Sequence, residues 1–208
     1  MVDDLRAELA ANQESELEFS VVLPPGWARF GVDAEAERRL TANMMAVLRE
    51  RSTPAETMSV RQFVHAGFTE LRRQKAVACY LPVAPVDDIV IPASITVAPA
   101  PVRSPDRLEE FAQRVEAKSV VFARGRDEDG LEVWRWEQRR AGLPGEGGED
   151  AGSRTVSYLF EAPRGSRRTP AVVSGSLLYA AGEAESDFAE DVLVLLDAIM
   201  GTFTWSAR

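Results

Sequence analysis

The sequence predicts an α+β protein, a twisted antiparallel sheet flanked by helices. Three observations point there. Segments with strand periodicity follow one another from residue 120 to 180, joined by turns too short for parallel crossovers. Helical periodicity is confined to segments before and after that run. Strands and helices do not alternate, as a doubly wound nucleotide fold would require.

The elements follow in chain order. Residues 1–15 are acidic and Ala-rich and read as a flexible arm; residues 16–208 read as one domain. From Leu17 to Leu23, Leu17, Phe19, Val21 and Leu23 alternate as in a strand, which Pro24-Pro25-Gly26 stops. Ala34 to Arg51 has the helical period, with Leu40, Met44, Val47 and Leu48 on one face and Asp33 placed to cap it. A second helix runs from about Ala55 or Val60 to Gln74, with Phe63, Val64, Phe68 and Leu71 as its apolar stripe. Strands are expected over 76–82 and 89–98, the second interrupted by Pro92. Ser104-Pro105-Asp106 opens a helix carrying Leu108, Phe111, Ala112 and Val115.

Strands then follow at 120–123, 131–139, 154–161 and 170–180, separated by a turn at 125–130, a Gly/Glu-rich mobile loop at 141–152 and a basic turn at 164–169. Asp187 to Met200 is an amphipathic helix that buries Phe188, Val192, Leu195, Leu196 and Ile199, with Asp187 and Glu190 loosely matching a capping box and Gly201 as its stop. Phe203 to Trp205 is a short last strand.

Composition excludes several functions. Of 208 residues, 33 are acidic and 24 basic, giving a net charge of −9. An acidic chain is a poor general binder of nucleic acid, because phosphate binding releases counterions to Lys and Arg. One His and one Cys cannot build a His-rich metal site, a Cys-based zinc site or an internal disulfide. No cofactor is expected, and no apolar run approaches the length of a membrane span. The acidic start lacks the basic-then-apolar pattern of a secretory signal, so the expected compartment is the cytoplasm, in keeping with an unpaired Cys79. Arg outnumbers Lys 22 to 2, which reads as the codon bias of a high-GC bacterial source.

The chemistry-bearing residues read mainly as structural. His65 lies beside a helix stripe with no Gly-x-Ser-x-Gly elbow for it to serve. Cys79 sits in an apolar strand, where its thiolate is disfavoured. Asp127-Glu128-Asp129-Gly130 reads as a hairpin turn, since an EF-hand loop needs further oxygen ligands and a Glu at its twelfth position. The glycines from 125 to 148 form no phosphate-binding motif. An enzyme would have to work with carboxylates and Arg, two carboxylates facing each other with one pKa raised.

Two features suggest a partner. Trp134 and Trp136 share one strand face, while Leu131, Val133, Arg135 and Glu137 take the other; unless both faces are covered, one exposes something large and apolar. Arg164, Arg167 and Arg168 form a small basic turn suited to an acidic partner or a phosphate, although a solvated surface in an otherwise acidic chain is the simpler reading of such a cluster.

The opening strand with Phe19-Ser20, the Pro24-Pro25-Gly26-Trp27 turn, and the closing apolar helix (Leu195, Leu196, Ile199) followed by Phe203-Thr204-Trp205 carry a resemblance. Over about residues 16–206 the chain resembles the PsbP-like superfamily, which also includes the Ran-binding nucleotide-release factor of eukaryotes. The resemblance implies a central antiparallel sheet between helices and a mostly non-enzymatic role. It transfers no metal or partner residues one by one. The two consecutive helices in 34–75 and the loop at 141–152 depart from it. The expected function is therefore non-catalytic: binding another protein, or self-association. The alternative is a protein that holds a small apolar ligand in a pocket between sheet and helix.

Overall fold

The computed structural model describes residues 18–48, 54–84, 91–102, 105–127, 130–141, 151–163, 169–180 and 182–206. The expected arm at 1–15, most of the loop at 141–152 and the basic turn lie outside them. Nine strands and four helices are described: β1 (Phe19–Ser20), β2 (Trp27–Phe30), α1 (Ala34–Leu48), α2 (Pro54–Arg73), β3 (Ala78–Pro82), β4 (Ala93–Pro99), α3 (Pro105–Glu116), β5 (Val121–Arg126), β6 (Glu132–Ala141), β7 (Ala151–Phe160), β8 (Ala171–Ala180), α4 (Asp187–Met200) and β9 (Thr204–Trp205). No described helix is long and apolar enough to cross a membrane.

The expected α+β architecture is the one observed. A seven-stranded sheet runs in the order β2-β3-β4-β8-β7-β6-β5, and every neighbouring pair is antiparallel. The consecutive strands β5 to β8 form the meander read from the sequence. β8 then lies beside β4, so the two halves of the sheet join through residues about 80 apart. A small second sheet pairs β1 with β9 and ties the start of the described chain to its end.

Strand alternation gives the sheet two unlike faces. On the first, Ile95, Val97, Val156, Val173 and Leu177 pack against Val192, Leu193, Leu196 and Met200 of α4. Phe160 stacks on Phe203 at 4.4 Å, and Phe203 on Phe19 at 5.4 Å, so the small sheet closes one end of this core. Gly175 is what lets α4 come so close. A Cβ there would lie 3.0 Å from Met200 Cε and 3.2 Å from Leu196 Cβ, tighter than side chains normally pack.

The second face has two separate covers. α1 and α2 lie over β2 and β3 through Phe30, Ala36, Val64 and Phe68. α3 lies over the opposite half through Leu108 and Ala112, which meet Trp134, Trp136 and Leu159.

Several local expectations change. Phe63 is not part of the buried stripe of α2: it is 54% exposed, because Val60, Val64, Phe68 and Leu71 turn inward instead. Phe188 is likewise exposed at the start of α4. The cap of that helix is Ser186, whose Oγ accepts from the Ala189 N–H at 3.2 Å, while Glu190 turns to Arg154. β2 has no counterpart among the expected strands, and β1 is only two residues long. Asp33 caps α1 as expected, accepting from the Ala36 N–H at 2.7 Å.

Candidate functional site

The tryptophan pair is buried. Trp134 is 4% exposed and Trp136 5%, and Phe111 of α3 meets the Trp136 ring edge-on at 6.1 Å. The expectation that these rings present a partner surface is corrected: α3 covers their face. The opposite face of β6 is covered as well. Arg135 makes a two-pronged pair with Asp197 of α4 at 3.0 and 2.6 Å, and Tyr158 Oη donates to the same carboxylate at 2.8 Å. Beside it, Arg154 Nε donates to Glu137 Oε1 at 2.9 Å and its Nη1 to the Ala184 carbonyl at 2.8 Å. These charges bind α4 to the sheet. Arg164, Arg167 and Arg168 lie outside the described residues.

His65 is a surface residue whose Nδ1 lies 2.7 Å from Glu37 Oε1, with Arg72 Nη2 on the other oxygen at 2.8 Å. The three side chains join α1 to α2. Four described carboxyls have displaced pKa values and all four are lowered. The leading cause is a hydrogen bond from His65 for Glu37, from Arg73 for Glu70, from Arg124 for Glu109 and from Arg139 for Glu185. None of them is the raised acid that a carboxylate pair working as an acid–base couple requires.

Cys79 is buried on the second face, and burial pushes its thiol from 9.0 up to about 12. The neutral thiol is therefore favoured in the native state. The unfolded chain loses this proton first as pH rises, so the contribution to stability is full below pH 9 and is lost between about 9 and 12. At mildly alkaline pH, native Cys79 is expected to react with an aromatic disulfide reagent at least a hundredfold more slowly than the urea-unfolded chain, because burial leaves almost no thiolate in the native state. Equal rates in the two states would show that the thiol is open to solvent.

What remains open is the middle of the second face, between its two covers. There the outward positions of three adjacent strands carry hydroxyls: Ser94 and Thr96 on β4, Ser174 and Ser176 on β8, Thr155 and Ser157 on β7. The register sets them side by side, Thr96–Ser174–Ser157 in one row and Ser94–Ser176–Thr155 in the next. Ser157 and Ser174 are hydrogen-bonded at 2.8 Å, Thr155 and Ser176 at 3.0 Å. All but Ser157 are partly exposed, although their neighbours on the first face are buried.

The hydroxyl rows form the floor of a groove. Its wall is the flank of α2 turned away from α1. Since His65 and Arg72 face α1, helical geometry puts Phe63, Gly67 and Glu70 on the other flank. Nothing stands within 4 Å of a Cβ built at Gly67, so this flank is unpacked. Arg73 chiefly, then Gln74, holds the Glu70 carboxyl low, and Arg140 on β6 adds to the effect from across the floor. The Ser/Thr alternation at 94–96, 153–157 and 174–176 was the sequence signal for this floor. By itself, serine at alternate strand positions is an ordinary solvent face until the neighbouring strands are known.

The fold and site thus define an α+β protein whose sheet is packed against one helix over the centre of one face and bears a partly exposed, hydroxyl-floored groove on the other. No family model matches the chain, and no curated protein matches it. Among solved structures it is similar to the Ran-binding protein Mog1p of Saccharomyces cerevisiae, with 11% identity over 90% of this chain and 89% of that one and a TM-score of 0.42.

Proposed function

We propose that this chain is a non-catalytic cytoplasmic protein of bacterial origin and of the PsbP-like superfamily, and that it binds another protein across the hydroxyl-floored groove. The observation that carries this reading is the open floor itself. Three central strands carry a two-row hydroxyl surface that stays partly exposed except at Ser157, on the same face as the 54%-exposed ring of Phe63. Hydroxyls that donate and accept, next to an exposed aromatic, suit a polar polypeptide surface with an aromatic anchor. Glu70 and Arg140 add charges of both signs across the floor, which would set the orientation of what binds. Arg164, Arg167 and Arg168 stay candidates for an acidic group of the same partner.

Site-specific photocrosslinking in the source cell tests this. A benzophenone side chain placed at Phe63 is expected to give a protein adduct, and one placed at Val194, on the outer side of α4, none. Filling the floor with Ser174→Trp is expected to abolish the Phe63 adduct while the circular dichroism spectrum is kept. Equal adducts at both positions, or none at Phe63, would remove the groove as the binding site.

A further inference from the structure

The seven-stranded sheet ends in two unlike edges. β2 is four residues long and follows Pro24-Pro25, features that discourage a further strand. β5 is six residues long, contains no proline and pairs with β6 in one register from Val121–Glu137 to Arg126–Glu132. Its two arginines are matched inside the chain. Arg124 makes a two-pronged pair with Glu109 at 3.0 and 2.9 Å, and Arg126 lies opposite Glu132. The free side of the strand is set by its hydrogen bonds. The Asp127 N–H donates to the Leu131 carbonyl at 3.0 Å, and ladder bonds alternate along an antiparallel pair. Val121, Ala123 and Gly125 therefore bond to β6, while Phe122, Arg124 and Arg126 turn their N–H and C=O groups away from the sheet. Phe122 packs with Trp134 and Trp136 under α3, so Val121, Ala123 and Gly125 lie on the opposite face, where all three are exposed. Val121 is 43% exposed, and a Cβ built at Gly125 meets nothing within 4 Å.

This strand is complementary to itself. For β5 to pair antiparallel with a second β5 about a two-fold axis, outward-bonding residues must meet outward-bonding residues. Two such registers pair all but one of the six residues. One sets Arg124 against its own copy, and like charges directly opposite are destabilising. The other centres the axis on Ala123. It places the exposed Val121 over the open space at the second copy's Gly125. It also sets Arg124 opposite the second copy's Phe122, the same ring type over which Arg124 already lies at 5.6 Å within its own chain. Phe122 and Arg124 of the two copies then exchange backbone N–H···O=C bonds. From this self-matching we infer that the β5 edge is a dimer seam, at which two copies of this chain join their seven-stranded sheets into one continuous sheet. The seam lies at the sheet's edge and the hydroxyl rows on its central strands, so neither reading depends on the other.

Cysteine crosslinking of the full chain, with Cys79→Ala as background, reads the register. Ala123→Cys is expected to give a disulfide-linked dimer under mild oxidation. The two copies of residue 123 form a non-hydrogen-bonded pair with Cα atoms about 4.5 Å apart, within disulfide reach. Gly125→Cys, whose two copies lie about 13 Å apart along the seam, is expected to crosslink at least tenfold more slowly. Sedimentation velocity of the unmodified chain supplies a second measurement. At about 100 μM the wild type is expected to be dimeric and Gly125→Glu monomeric. That variant is expected to keep the wild-type circular dichroism spectrum, because the space at residue 125 is open in the single chain. A wild-type monomer at that concentration, a Gly125→Glu dimer, or equal crosslinking at 123 and 125 would each overturn the assignment.

Discussion

Replacing Glu137 with Ala is expected to destabilise the protein by about 1.5–3 kcal/mol, the cost of taking one charged acceptor from a buried guanidinium that keeps Glu190 as its other carboxylate. Glu137 is 5% exposed and Arg154 3%, so neither retains solvent to compensate for the loss of the other. In the variant, Arg154 keeps the Ala184 carbonyl and the Glu190 carboxylate, but the acceptor beneath it on β6 is gone. The double variant Glu137→Leu/Arg154→Met is expected to recover most of the stability, because an apolar pair of similar size needs no desolvation of charge. Urea unfolding of wild type, both single variants and the double variant measures the coupling. A single-variant loss under about 1 kcal/mol, the level of an exposed pair, would mean that water reaches this site.

The second large effect is expected at Trp136. Trp136→Ala removes a buried indole between β6 and α3 and should cost about 3–5 kcal/mol, the lost transfer energy plus the cavity left behind. Its edge-on contact with Phe111 adds to the loss. Val194→Ser, at a side chain 68% exposed on the outer side of α4, is expected to stay within about 0.5 kcal/mol of wild type. Thermal unfolding of the two variants side by side decides the matter. If Trp136→Ala melts with the wild type, the ring is not core, and the aromatic pair returns as a binding surface.

The contrast between those two substitutions also marks what the sequence could convey. Alternation at Val156, Tyr158 and Phe160 and the helical period from Phe188 to Ile199 placed β7 and α4 without any knowledge of neighbours, because side-chain period is a property of the local backbone. The antiparallel meander was equally legible, since its connections are too short for anything else. Asp33 and its helix followed from capping chemistry that acts over three residues.

Other features rest on pieces of chain far apart. That Trp134 and Trp136 share a face is local; that α3 covers that face is not. Phe63 fits an apolar stripe by spacing, yet it lies outward because α2 rolls to bring Val64 and Phe68 onto Phe30. The hydroxyl floor exists only because β4, β7 and β8 pair in one particular register, which brings Ser94, Thr155 and Ser176 into a row. By itself, then, the sequence determined the class of fold, the identity of most elements and which residues share a face. The tertiary structure alone decided which faces are covered, how the charges of β6 are matched, and where the sheet stays open. Periodicity is written within each segment, whereas burial and register arise from the pairing of segments remote in the chain.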